Sequence, residues 1–207
     1  MKYITICFLA VILSSCYISR TIEGPATLRI EQSAPVQVKK PEFPKYILHS
    51  TEQEYMRAFE KELQKELESM GVTVVTDMNT PVDFILTIDK FILGEIMEYT
   101  KVDDEKSTYH GQSYVLHSCY ASTDFTLYNR GEKISTGWAS VDKDEKLSNK
   151  RNVGDYIFGS NKDNTEYRHK GLQDDVCVDL AERCGRRTAA RITKKISKFA
   201  KKNQKAS

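Results

Sequence analysis

Residues 114–128 constrain the fold more than any other stretch of the chain. Val115, Cys119, Ala121, Phe125 and Leu127 fall on one side of an alternating pattern, and Ser118, Tyr120, Ser122, Asp124 and Thr126 fall on the other. A strand built this way has one dry face and one wet face. Asn129-Arg130-Gly131-Glu132 follows, with Gly131 where a tight loop needs a positive φ, and residues 134–141 return as the partner strand. The dry face of such a hairpin has to be covered by a second layer.

Two segments carry the 3.6-residue period that can supply that layer. From Thr51 onward, Tyr55, Met56, Phe59, Leu63, Leu67 and Met70 share one helical face, while Glu52, Glu60, Lys61, Gln64, Lys65 and Glu68 cover the other. Ser50 or Thr51 caps the start, Glu52 and Glu54 suit the first turn, and Gly71 ends the helix. The second segment spans residues 174–202, with Cys177, Leu180, Ala181, Cys184, Thr188, Ile192, Ile196 and Phe199 as its apolar stripe. The expectation is an α+β fold, a mostly antiparallel sheet with two amphipathic helices packed on one face.

The remaining segments add shorter elements. Residues 17–45 hold Pro25, Pro35, Pro41 and Pro44; residues 27–30 and 36–38 read as short strand pieces, and residues 46–49 as a better strand ahead of the first helix. Val72 begins a β-branched run closed by the turn Asp77-Met78-Asn79-Thr80-Pro81. Residues 83–93 read as a well-buried strand, with Gly94 marking a bend before a polar stretch reaching Tyr109. Residues 142–172 contain seven Lys or Arg and six Asp or Glu around a single apolar island, Tyr156-Ile157-Phe158, and read as a polar loop.

The N-terminus has a different character. Lys2 precedes an apolar run over residues 3–13, after which small residues lead to a cysteine, the layout of a secretory signal peptide. At 1.5 Å per residue the run covers about 16 Å of a hydrocarbon core roughly 30 Å thick, too little for a stable span. Leu13-Ser14-Ser15-Cys16 resembles the lipobox of bacterial lipoproteins. The resemblance implies cleavage before Cys16, a diacylglyceryl thioether on its sulfur and an acylated N-terminus; Tyr17, where an Asp would signal inner-membrane retention, favours the outer membrane. Two or more acyl chains turn marginal membrane binding into stable anchoring. The chain is expected to divide into a signal peptide (1–15), a lipid-anchored tether (16–43), a single α+β domain (44–202) interrupted by the polar loop 142–172, and a basic tail (203–207).

Little in the sequence points to catalysis. It holds no P-loop, dinucleotide fingerprint, nucleophile elbow, zincin motif or calcium loop. His117 and Cys119 alternate on one strand face, but no neighbouring pair completes a tetrahedral zinc site; His49, His110 and His169 read as solvated. Asp83, Asp89 and Asp124 lie in or beside strands without a spacing that divides acid and base roles. Cys177 and Cys184 lie about 10.5 Å apart along one helix, too far for a disulfide. That leaves a bridge from Cys119 to one of them, or three buried core thiols. No catalytic residue, metal or cofactor is expected.

The constellation with functional weight is basic. Residues 183–205 contain ten Lys or Arg and no Asp or Glu, whereas Asp174, Asp175, Asp179 and Glu182 crowd the start of the same helix. Arg191, Lys194, Lys195, Lys198, Lys201 and Lys202 are candidate contacts for an anionic membrane surface or an acidic partner; the alternative is a solvated helix end with a Lys-rich tail. Nucleic acid is not an expected ligand for an exported protein. The element order resembles that of small envelope lipoproteins such as the auxiliary lipoproteins of ABC-type lipid transporters and the lipopolysaccharide-assembly lipoprotein. The likeness is carried by residues 43–48, the stretch DFILTIDKFILGE at 83–95 and the hairpin at 129–137, with 142–172 departing from it. It implies a non-enzymatic, lipid-anchored envelope protein supporting a transport or assembly complex. A lipid- or glycolipid-binding module using a groove between helices and sheet is the alternative, and an envelope hydrolase the third reading.

Overall fold

A computed structural model describes residues 26–32, 34–39, 48–101, 105–106, 110–111, 113–147 and 172–204. Strand β1 (Ala26–Gln32) and the short β2 (Val36–Val38) come first, then helix α1 (Glu52–Ser69), β3 (Val72–Val74), the long strands β4 (Phe84–Lys101), β5 (Ser113–Asn129) and β6 (Glu132–Leu147), and helix α2 (Asp174–Gln204). The strands form one mixed sheet in the order β3-β1-β4-β5-β6, with β2 pairing β4 beyond the end of β1. The long β4–β5 and β5–β6 ladders are antiparallel, and the short β1–β3, β1–β4 and β2–β4 ladders are parallel. The expected α+β class, with two helices on one face, is what forms.

Alternation places the core. Cys119, Ala121, Phe125 and Leu127 of β5, Phe84, Leu86, Ile88, Phe91 and Leu93 of β4, and the stripes of both helices merge into a single cluster between the layers. Phe59 of α1 meets Phe91 of β4 with ring centroids 4.7 Å apart. Thr51 is the N-cap of α1 in a full capping box with Glu54, and Gly71, at φ +86°, turns the chain out of the helix into β3. The two helices touch where Gly185 presents no side chain to the backbone of Phe59 and Leu63.

Several details differ from the sequence expectation. The sheet begins at Ala26, inside the segment read as tether, and Leu48 and His49 are not in a strand. The Asp174 carboxylate accepts the N–H groups of His49 and Ser50, so those donors serve the start of α2 rather than a ladder. Gly94 does not bend β4. Its ladder with β5 runs on to Lys101, and the ring of Tyr120, opposite Gly94, occupies the space a side chain would take. Strand β6 continues six residues into the expected loop, to Leu147; the island Tyr156-Ile157-Phe158 lies outside the described residues. The register shifts between Ile88 and Lys90, where Asp89 accepts hydrogen bonds from Thr87 and Thr126, a bulge that lets Phe91 and Leu93 keep facing the core. None of Cys119, Cys177 and Cys184 is in a disulfide; all three are buried.

The chain direction sorts the ends of the elements onto two poles. At one lie the start of β1, the 77–83 connection into β4, the Arg130–Gly131 hairpin tip and the last turns of both helices; Leu28 pairs with Phe84, Phe84 with Asn129, and the Phe84 ring stands edge-on to Phe199 of α2 at 6.1 Å. At the other lie the starts of α1 and α2, joined through Asp174 and Tyr55.

Candidate functional site: the cationic half of the second helix

Among the described residues strand β6 is one edge of the sheet and β3 the other, and an exposed edge strand is a template for pairing with another chain. Helix α2 runs antiparallel beside β6. Arg183 donates to the carbonyl of Asp142 at 3.1 Å, the Arg191 guanidinium lies 4.6 Å above the ring of Trp138, and Lys195 donates to Ser135 Oγ at 2.6 Å and to the Thr136 carbonyl at 2.5 Å. The aliphatic stem of Lys195 needs Gly137 beneath it, because a Cβ there would meet Lys195 Cε at 2.8 Å and the Phe125 ring at 2.5 Å. Burial, helped by the nearby charges of Lys198 and Arg191, moves the Lys195 ammonium below the ordinary lysine range.

These contacts divide the six cations expected as a single surface. Arg191 and Lys195 are half-buried and turned toward β6, where they hold the helix to the sheet and cover its edge. Lys194, Lys198, Lys201 and Lys202 are exposed. They recur at intervals of three, four and seven and so share the solvent side of α2. Residues 201–204 are exposed throughout, so the helix ends beyond the packing of Phe199 against Phe84. The acidic Asp174 and Asp175 occupy the first turn of α2 and Glu52 and Glu54 that of α1, at the pole opposite the lysines.

A second polar cluster sits where the helices begin. Tyr55 Oη donates to Asp174 Oδ1 at 2.5 Å, and the same carboxylate takes the backbone N–H groups of His49 and Ser50. Burial alone would raise this carboxyl; the hydrogen bonds from Tyr55, His49 and Ser50 outweigh it and bring it to about 2. Burial first, and then the bond to Asp174, pushes the Tyr55 phenol upward. Burial likewise takes the neighbouring Cys177 thiol up to about 12. A nucleophilic cysteine needs the opposite shift, so the chemistry of this cluster is that of a clasp: a fixed carboxylate gathering the N-termini of both helices. Glu62 and Arg186, 2.8 Å apart, form a second clasp between the helices, and Arg186 holds the Glu62 carboxyl below its usual range.

The other sequence candidates do not converge. Among the described residues no group of three or more His, Cys, Asp or Glu is placed to hold a metal ion. Asp83 is tied to Thr27 by reciprocal hydrogen bonds, Asp89 belongs to the bulge, and Asp124 is exposed opposite Trp138. His117 pairs through its backbone with Met97 and Glu145. The volume between helices and sheet, the place for a lipid-binding groove, is filled by Phe59, Leu63, Leu67, Phe91, Phe125 and Leu180, all fully buried. Leu13, Ser14, Ser15 and Cys16 lie outside the described residues.

Sequence reasoning missed the Trp138–Arg191 stack, the Tyr55–Asp174 clasp and the close approach at Gly185. A signal existed for two of them: Trp138 is the only tryptophan and stands 57% exposed, and an isolated glycine within a helical pattern points to close packing.

No protein-family model matches the sequence, and no curated protein matches it. Among solved structures, the chain is similar to a neuraminyllactose-binding hemagglutinin homolog from Helicobacter pylori, at 14% identity over 91% of this chain and 95% of that one, with a TM-score of 0.49. It is similar to a minor lipoprotein from Acinetobacter baumannii at 15% identity, over 84% and 94%, with a TM-score of 0.43. The rare lipoprotein B from Shewanella oneidensis shares 12% identity over 86% and 98%, with a TM-score of 0.37. At such identities, and with all three scores below 0.5, the likeness carries no argument about function.

Proposed function

We propose that this chain is a lipid-anchored envelope lipoprotein that acts by binding rather than by catalysis, supporting a membrane transport or assembly complex. The observation that carries the reading is Leu13-Ser14-Ser15-Cys16 at the end of a short apolar run, with Cys16 as the acylated residue. Among the described residues no helix is long and apolar enough to cross a membrane; on this reading the acyl chains carry the attachment. The non-catalytic part is supported by the upward shifts of the Cys177 thiol and the Tyr55 phenol, which burial beside the ionised Asp174 carboxylate moves away from the ionised form a nucleophile needs. The outer membrane is the proposed address, from Tyr17 after Cys16.

Fractionation of cells expressing the chain and its Cys16→Ala variant tests the anchor. The parent sediments with membranes and the variant accumulates unprocessed or soluble; membrane attachment unchanged in the variant overturns the reading. Crosslinking of the lipidated protein in its own membrane tests the supporting role, for which a stoichiometric membrane-protein partner is expected.

A further inference from the structure

Three features found far apart in the sequence meet at one pole of the domain. The first is the point of attachment: Ala26, the start of β1, lies ten residues after Cys16, and β1 begins beside Phe84 through the Leu28–Phe84 pair. The second is the end of α2, brought to the same place by the Phe84–Phe199 contact, with Lys194, Lys198, Lys201 and Lys202 exposed around it. The third is Met78, 67% exposed at the tip of the turn before β4; Arg29 of β1 holds that turn by donating to the carbonyls of Met78 and Thr80, each at 3.2 Å. The opposite pole carries the carboxylates Glu52, Glu54, Asp174 and Asp175 on the first turns of the helices, and Lys101, Glu105 and Lys106 where β4 ends.

We propose that this pole is a docking surface for the anionic phospholipid headgroups of the membrane in which Cys16 is anchored, so that the domain stands with the end of α2 and Met78 against the lipid and the starts of both helices pointing away. The inference rests on the lipoprotein reading for its source of attachment, but the surface itself belongs to the folded domain. Ten residues reach at most about 35 Å, which keeps this pole, of the two, close to the bilayer. An acyl anchor turns the lysine contact into an intramolecular event, so weak headgroup attraction suffices to set orientation. The charge is also well placed to discriminate between poles. Over a Debye length of about 8 Å at physiological salt, a membrane acts on the lysines when this pole is down, and repels the carboxylates when the other is. Arg130 and Lys133 at the hairpin tip add to the positive side; Glu66, Glu68, Asp77, Asp83 and Glu132 oppose it, with Asp77 already engaged in capping its own turn through Asn79 N and Thr80 Oγ1 and Asp83 in accepting from Thr27. Met78 supplies an apolar side chain for the headgroup region.

The test uses residues 16–207, the mature chain on the proposed reading, with Cys16→Ala, so that neither the lipid nor the apolar run 3–13 contributes and binding reports the pole. At low salt it is expected to co-sediment with vesicles containing phosphatidylglycerol and not with pure phosphatidylcholine vesicles. The additional changes Lys194→Glu, Lys198→Glu, Lys201→Glu and Lys202→Glu should weaken binding at least tenfold. The same four positions changed to Gln give an intermediate loss, and circular dichroism checks that both variants fold. An environment-sensitive fluorophore on Met78→Cys should shift to the blue on binding, whereas the same label on Glu105→Cys, in the connection between β4 and β5 at the far pole, should not. Equal binding to both vesicle types, undiminished binding by the four-Glu variant, or a blue shift at 105 in place of 78 overturns the inference. None of these results touches the lipid on Cys16, which the fractionation above tests separately.

Discussion

A methyl group at position 185 would press on the carbonyl oxygen of Phe59 and lie 3.0 Å from Leu63 N, and both are backbone atoms that no rotamer change can move. Gly185→Ala should therefore force the helices apart and destabilise the fold by about 1–3 kcal/mol, despite the better helix propensity of Ala. Urea denaturation measures this, and a variant as stable as the parent contradicts the packing described. Asp174 gives a prediction in pH. Its carboxyl is depressed from 3.8 to about 2 in the fold, so the clasp stabilises fully above about pH 4, and the contribution, about 1 kcal/mol after solvent screening, is lost as pH falls toward 2. Asp174→Asn should lower stability at neutral pH and flatten that acid limb, read from denaturation midpoints across pH 2–6. The Tyr55–Asp174 clasp has no signal in the sequence: the two residues lie 119 positions apart, and only the tertiary path of the chain makes them neighbours.

At the scale of elements, the clearest device is the covering of β6 by α2. Removing both capping side chains, Arg183→Ala with Lys195→Ala, exposes the carbonyls of Asp142 and Thr136 on an edge strand. The double variant should keep its far-ultraviolet circular dichroism yet self-associate in sedimentation velocity at concentrations where the parent is monodisperse; identical sedimentation profiles would remove the edge-cover account. The long elements were legible because burial writes a period into them: two for β5, 3.6 for both helices. Strands β1 and β2 were legible only as short pieces. Their parallel pairing with β4 depends on α1 returning the chain to its starting pole, and a three-residue strand holds no register information of its own. Gly94 was misread as a bend because its neighbour is Tyr120, 26 positions on, whose ring replaces the missing side chain. The basic helix was legible as charge but not as geometry. That Arg191 and Lys195 are occupied at the sheet, leaving Lys194, Lys198, Lys201 and Lys202 outside, follows from how α2 lies along β6.

At the scale of the whole molecule, the charge asymmetry along α2 becomes a difference between two poles, and β1, the first strand of the described residues, begins at the cationic one. That coincidence joins the part of the chain read from sequence alone, residues 1–16, to the part read from the fold. The proposed anchor is the more legible of the two, since the resemblance to a signal peptide and lipobox is carried by a linear stretch; the proposed orientation depends on the tertiary contact of Phe84 with Phe199. The central claim is that Cys16 begins the mature protein and carries its lipid, and intact mass spectrometry of the chain purified from the membrane fraction tests it most directly. The account predicts a protein starting at Cys16 with the added mass of a diacylglyceryl group, alone or with a further acyl chain. A chain that still begins at Met1, or one that carries no lipid at Cys16, would contradict it.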